Sequence, residues 1–97
     1  MMLTKLSKAF SDDNRIKVLK FLSDGPRNVT QVADRLDVEE NLASHHLRVL
    51  AALGFLKNEK KGREVFYRIN DAKFVALIRD LKRSKAFKGI ILQALKD

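Results

Sequence analysis

The sequence predicts a mainly α-helical domain with one small antiparallel β-hairpin set before its last helix. Three observations lead there. Apolar residues recur at helical spacing through the first half of the chain. Two capping signals then place two short helices almost end to end. After Gly54 the pattern switches to two short β-prone runs around a glycine. At 97 residues the chain is read as a single domain, 1–97, whose thin core would gain from a second copy.

Leu3, Leu6 and Phe10 share one face of a first helix, and Ser11-Asp12-Asp13-Asn14 supplies cap-forming residues to end it and start another. The second helix carries Ile16, Leu19 and Leu22 on one face, with Val18 and Phe21 alongside and Lys17, Lys20 and Asp24 opposite. Gly25-Pro26 closes it, because Pro cannot continue the backbone ladder. Asn28 and Gln31 stand at capping-box spacing before the stripe Val29, Val32, Ala33, Leu36. Asp37 and Glu40 repeat that spacing before Ala43, His46, Leu47 and Leu50. Two helices joined by a tight connection around Leu36 to Val38 have the spacing of a helix-turn-helix.

Gly54 ends the second of these helices. The runs Phe55 to Glu59 and Glu64 to Ile69, on either side of Lys60-Lys61-Gly62-Arg63, predict the hairpin. Asn70-Asp71 then caps a last helix with Phe74, Leu77, Ile78 and Leu81 on one stripe. Phe87, Ile91 and Leu95 would extend it across Gly89, and the segment 85–97 is left without a role. The order is helix, helix, helix, recognition helix, hairpin, helix, which is a winged helix-turn-helix.

Charge narrows the partner. Lys and Arg number 20 against 12 acids, and a formal charge of +8 points to nucleic acid or an anionic membrane surface. The absence of cysteine removes disulfides, thiolate metal sites, thiol redox switches and cysteine nucleophiles together. No apolar run approaches the roughly 18 residues needed to span a bilayer. Met1 to Leu6 is too short an apolar stretch for a signal peptide, so a cytoplasmic location without membrane partners is expected.

With Ala43, His46, Leu47 and Leu50 inward, the recognition helix presents Asn41, Leu42, Ser44, His45 and Arg48. Arg48 suits a guanine edge or a phosphate, Asn41 suits adenine, and Ser44 and His45 suit bases or backbone. A solvated polar face accounts for the same residues, as on any amphipathic helix. The hairpin tilts the balance, since Lys60, Lys61 and Arg63 around Gly62 form the basic tip that a wing needs to reach phosphates or a minor groove. Thr30 and Gln31 open a helix whose exposed amides favour a phosphate, although simple capping also explains them. Glu39 and Glu40 count the other way: they suit the helix dipole but would repel phosphate. Glu40 is assigned to capping, and Glu39 is a candidate acceptor for a cytosine amino group. No nucleophile–base pair, carboxylate dyad or phosphate-cradling glycine loop is present, so an enzyme is not expected. Ser44 and His45 are helix neighbours that do not face one another.

Three motifs in order resemble the ArsR/SmtB family of prokaryotic winged-helix repressors over nearly the whole chain. Asp12-Asp13-Asn14-Arg15-Ile16-Lys17-Val18-Leu19 is similar to the family's D-P-x-R-L-x-I-L. Ser44-His45-His46-Leu47-Arg48-Val49-Leu50 with Gly54-Phe55-Leu56 resembles its S-x-H-L-x-x-L and G-L-V, and Gly62-Arg63 with Tyr67 its wing signature. The resemblance implies a homodimer built from the first and last helices through Leu3, Leu6, Phe74, Leu77, Ile78 and Leu81. It also implies an imperfect inverted repeat in double-stranded DNA as target, and release when an effector binds.

The chain departs from the family where metal would be sensed. Asn28 and Thr30 stand at the positions of the family's C-x-C pair. Asp71 matches the acid of the last-helix metal site, but Lys73, Ser84 and Phe87 occupy its other three positions. His45 and His46 point about 100° apart and cannot chelate one ion, and His46 matches a structural, hydrogen-bonded histidine of the family. Neither metal nor cofactor is expected, and the effector stays open. The leading reading is a dimeric, sequence-specific DNA-binding regulator, a repressor by resemblance. A non-specific architectural nucleic-acid binder and a winged-helix adapter for proteins are the alternatives.

Overall fold

The computed structural model describes residues 8–83, the side chains of residues 81 and 82 excepted. Of the expected first helix, Lys8 and Ala9 are helical, and Leu3 and Leu6 lie outside the described residues, as does the segment 85–97. Helix α1 (Asp13–Leu22) leads into strand β1 (Arg27–Asn28) and helix α2 (Val29–Leu36). Helix α3 (Glu40–Ala52), strands β2 (Leu56–Lys61) and β3 (Glu64–Ile69), and helix α4 (Asp71–Arg83) follow. The predicted winged helix-turn-helix is the observed architecture.

The short-range signals act as expected at two starts. Asp12 accepts the Asn14 N–H and caps α1. Asn28 and Gln31 form a reciprocal capping box, with the Gln31 N–H donating to Asn28 at 2.8 Å and the Asn28 N–H to Gln31 at 2.9 Å. The second apparent box does not form. Asp37 instead ends α2 in the left-handed region at φ 55°, with its N–H on the Asp34 carbonyl and the Val38 N–H on the Ala33 carbonyl. Asp and Asn visit this region at lower cost than other side-chain-bearing residues, which lets the chain reverse sharply without glycine. Glu39, not Asp37, occupies the N-cap of α3, and it makes no side-chain capping bond there.

Helix α3 ends on a Schellman motif. Gly54, at φ +93°, donates to Ala51, and Phe55 donates to Leu50. Phe55 therefore serves the helix stop and the base of the hairpin together, its carbonyl accepting the Asn70 N–H at 2.9 Å, and it is fully buried. Lys60 and Lys61 extend β2, which leaves Gly62 and Arg63 as a two-residue turn with Lys61 opposite Glu64. A positive φ at Gly62 (+63°) and not at Arg63 is the pattern of a type II′ turn, whose twist suits a hairpin.

The sheet has a third strand that the sequence pattern does not reveal. Arg27 pairs with Tyr67 and Asn28 with Phe66, giving the order β1-β3-β2. The core joins Val18, Leu19 and Leu22 of α1 to Val32 and Ala33 of α2, Ala43, Leu47 and Leu50 of α3, and Leu56, Tyr67 and Leu77. Each fully buried leucine contributes about 1.5–3 kcal/mol. Asn70 does not cap α4 with its side chain: its amide donates to the Gly54 carbonyl at 2.8 Å, tying the start of α4 to the end of α3. Phe74 packs its ring 5.1 Å from that of Phe55.

Candidate nucleic-acid interface

Helix α3 divides as its spacing requires. Ala43, His46, Leu47 and Leu50 are buried, while Asn41, Leu42, His45 and Arg48 are exposed and Ser44 is half-buried. Leu42 is an exposed large apolar side chain on an otherwise polar face. The N-terminal half of the helix thus offers an amide, an imidazole, a hydroxyl and a guanidinium to solvent, with one apolar contact among them.

His46 is packed beneath this face. Neither ring nitrogen finds a hydrogen-bond partner among the described residues, so the expected hydrogen-bonded histidine is packed but unpaired. Burial lowers its pKa, Asp12 opposes that by attraction, and Arg15 and His45 reinforce it by repulsion. The neutral imidazole is the form that fits. His45 and His46 have ring centroids 5.9 Å apart at a tilt of 55°, the first ring exposed and the second buried.

The start of α2 lies against the start of α3. The Thr30 hydroxyl donates to the Glu40 carboxylate at 2.9 Å, joining the two helices of the pair. Glu40 therefore bridges helices rather than capping its own, a contact between residues ten apart that local spacing does not signal. Gln31 has its side-chain oxygen in the capping box, and both Thr30 and Gln31 remain exposed.

The hairpin is anchored at its base and free at its tip. Leu56 and Tyr67 are buried, whereas Lys60, Lys61, Gly62 and Arg63 are exposed. The Lys61 ammonium stands 5.6 Å from the centre of the Phe66 ring, a diagonal cross-strand neighbour. Sequence reasoning passed over Lys57 and Arg68, which face each other directly across β2 and β3 and are both exposed. Like charges in that register destabilise a hairpin, and an anion laid along it relieves the repulsion. It also missed Arg27, whose guanidinium carbon sits 4.7 Å from the Phe21 ring centre while that of Arg35 stands 5.5 Å away. Arg27 also pairs with Tyr67 in the β1–β3 ladder, a pairing invisible in a two-residue run.

At the positions of the family's C-x-C pair, Asn28 and Thr30 are engaged in the chain's own hydrogen bonds. Asn28 is spent on the α2 cap. Lys73 lies over Gly54, where an added Cβ would meet its Cε at 3.3 Å. Among the described residues no group of three or more His, Cys, Asp or Glu side chains is placed to hold a metal ion, and Ser84 and Phe87 lie outside them. No described helix is long and apolar enough to cross a membrane.

Comparison with known proteins agrees with this architecture. A helix-turn-helix domain model matches residues 10–59. The chain is 42% identical over 72 residues to a cadmium resistance transcriptional regulatory protein CadC homolog of Staphylococcus aureus, covering 73% of this chain and 60% of that one. It is 34% identical over 76 residues to the HTH-type transcriptional repressor SmtB of Mycobacterium tuberculosis, covering 78% and 56%. The matches thus span less than two thirds of these relatives' length. Among solved structures, an ArsR-like transcriptional regulator from Rhodococcus sp. RHA1 superposes with a TM-score of 0.80 at 32% identity, over 98% of this chain and 90% of that one.

Proposed function

The chain belongs to the ArsR/SmtB family of winged helix-turn-helix regulators, and from that premise we propose that it is a sequence-specific DNA-binding transcriptional regulator, a repressor and not an enzyme, acting in the cytoplasm. The observation that carries this reading is the exposed face of α3, Asn41 to Arg48, held rigidly by a buried opposite face and flanked by a free basic tip at Lys60, Lys61 and Arg63. A helix of this kind fits a major groove while the wing tip and the start of α2, at Thr30 and Gln31, meet phosphates.

The working unit is a homodimer on an inverted repeat. Its support in the described residues is apolar surface on α4: Val75 is 52% exposed and Ile78 50%. Phe10, also exposed, borders an apolar groove of about 390 Å³ with Ile16, Leu19, Ile69 and Phe74. Leu77 is buried in the chain's own core, so the partner is met by Val75, Ile78 and the side of Phe74 that lines the groove. Leu3, Leu6 and the Leu81 side chain, the other residues of that expectation, lie outside the described set.

Regulation is independent of metal. Support comes from the absence of cysteine, from the amine of Lys73 at a ligand position and from the capping duty of Asn28. Binding-site selection from a random duplex pool tests the whole reading. A palindromic motif is the expected result, with affinity falling steeply with salt and unchanged by zinc or cadmium. Equal affinity for selected and random duplexes would instead leave an architectural binder, and no affinity for either an adapter for proteins.

A further inference from the structure

We propose that Glu39 reads a cytosine in each half-site, with Leu42 touching a thymine methyl close by. The inference rests on α3 being the recognition helix and adds a specificity to it.

Apart from favouring the helix dipole, Glu39 has no capping role that explains it. Glu39 is the N-cap of α3, where Ser, Thr, Asp or Asn would bond a free amide and add about 1 kcal/mol. Its backbone carbonyl accepts from Leu42 and Ala43, both at 3.1 Å, but its carboxylate makes no capping bond. Glu40, the next acid, is engaged by the Thr30 hydroxyl. Glu39 is therefore an exposed carboxylate at the leading end of a groove-seeking helix, in a chain of net charge +8. Against phosphates it lowers affinity.

The productive use of such a group is to accept from a base edge, and a recognition helix presents its N-terminal residues there. Cytosine offers its amino group, whereas adenine sets its N7 acceptor beside its amino group and repels a carboxylate. Leu42 lies three residues on, about 5–6 Å away along the same face. With base pairs stacked about 3.4 Å apart, that spacing reaches the first or second neighbouring pair. Asp37, Val38, Glu39 and Leu42 together line a surface depression of about 470 Å³, so the carboxylate and the apolar contact open onto one concave surface.

The test is binding-site selection with the wild-type protein and with Glu39→Gln and Glu39→Ser, followed by affinity for the wild-type site and for a random duplex. Expected from the wild-type protein is a motif with one strongly preferred C·G pair per half-site and a T·A within two pairs of it. Glu39→Gln should lose about ten-fold on that site, shift the position toward adenine and bind random duplex more tightly, since a negative charge has gone. Glu39→Ser should relax the same position while raising stability, because serine caps and is too short to reach the base. A wild-type motif whose C·G preference survives both substitutions overturns the Glu39 assignment and leaves the regulator intact. Failure of the wild-type protein to select any motif overturns both.

Discussion

Replacing Gly54 by alanine probes the joint on which the recognition helix and the wing both hang. At φ +93° the position lies where side-chain-bearing residues are strained, at about 1–3 kcal/mol. Alanine also stiffens the unfolded chain, which offsets about 0.4–1 kcal/mol of that strain. The new Cβ would meet Lys73 Cε at 3.3 Å and Nζ at 3.5 Å, a contact with the far end of a flexible side chain that can withdraw at little cost. The backbone strain therefore decides, and Gly54→Ala should destabilise by about 1–2 kcal/mol. In urea, at fixed protein concentration because association shifts apparent stability, the midpoint should fall by about 0.5–1 M. In a Lys73→Ala background the loss should be the same within about 0.5 kcal/mol. An unchanged midpoint, or full recovery on removing the Lys73 side chain, would refute the reasoning, the first for the backbone and the second for the order of the two effects.

The remaining predictions concern charge and conformation. Asp37→Gly should stabilise by about 0.5–1 kcal/mol, since it relieves the left-handed dihedral at φ 55°; a lowered melting temperature contradicts this. His46 has its pKa lowered in the folded chain from an ordinary value of 6.5, so the unfolded chain binds the proton more readily. Stability is then fully present above that value and is lost as pH falls through it toward the folded pKa, and His46→Leu should flatten this part of a pH–denaturation profile. Arg48→Ala should relax one base position and cost about 1–3 kcal/mol of specific binding, read by titration against mutated sites. Lys61→Ala should instead weaken all duplexes alike and reduce the salt slope by about one.

Much of the site was legible because its logic is local. The inward set Ala43, His46, Leu47, Leu50 follows from the helical period, and the Asn28–Gln31 box from two residues three apart whose backbones both favour it. The Asp37–Glu40 pair shows how that logic fails. The spacing is identical, but the chain must reverse after Leu36, and Asp37 is consumed by the reversal in a left-handed conformation. Glu40 is then free to take the Thr30 hydroxyl from the preceding helix.

The sequence by itself determined the winged helix-turn-helix, the polar face of α3, the basic turn at Gly62 and the lack of thiol ligands, because periodicity, turn chemistry and composition need no knowledge of distant residues. Tertiary structure alone decided three matters. It paired Arg27 and Asn28 with Tyr67 and Phe66, since a two-residue strand has no period to read. It drew Arg27 and Arg35 onto Phe21. It also split the apolar stripe of α4, sending Leu77 into the core and leaving Ile78, with Val75 beside it, uncovered by the rest of the described chain, because the direction from which the core approaches the helix selects which side is covered.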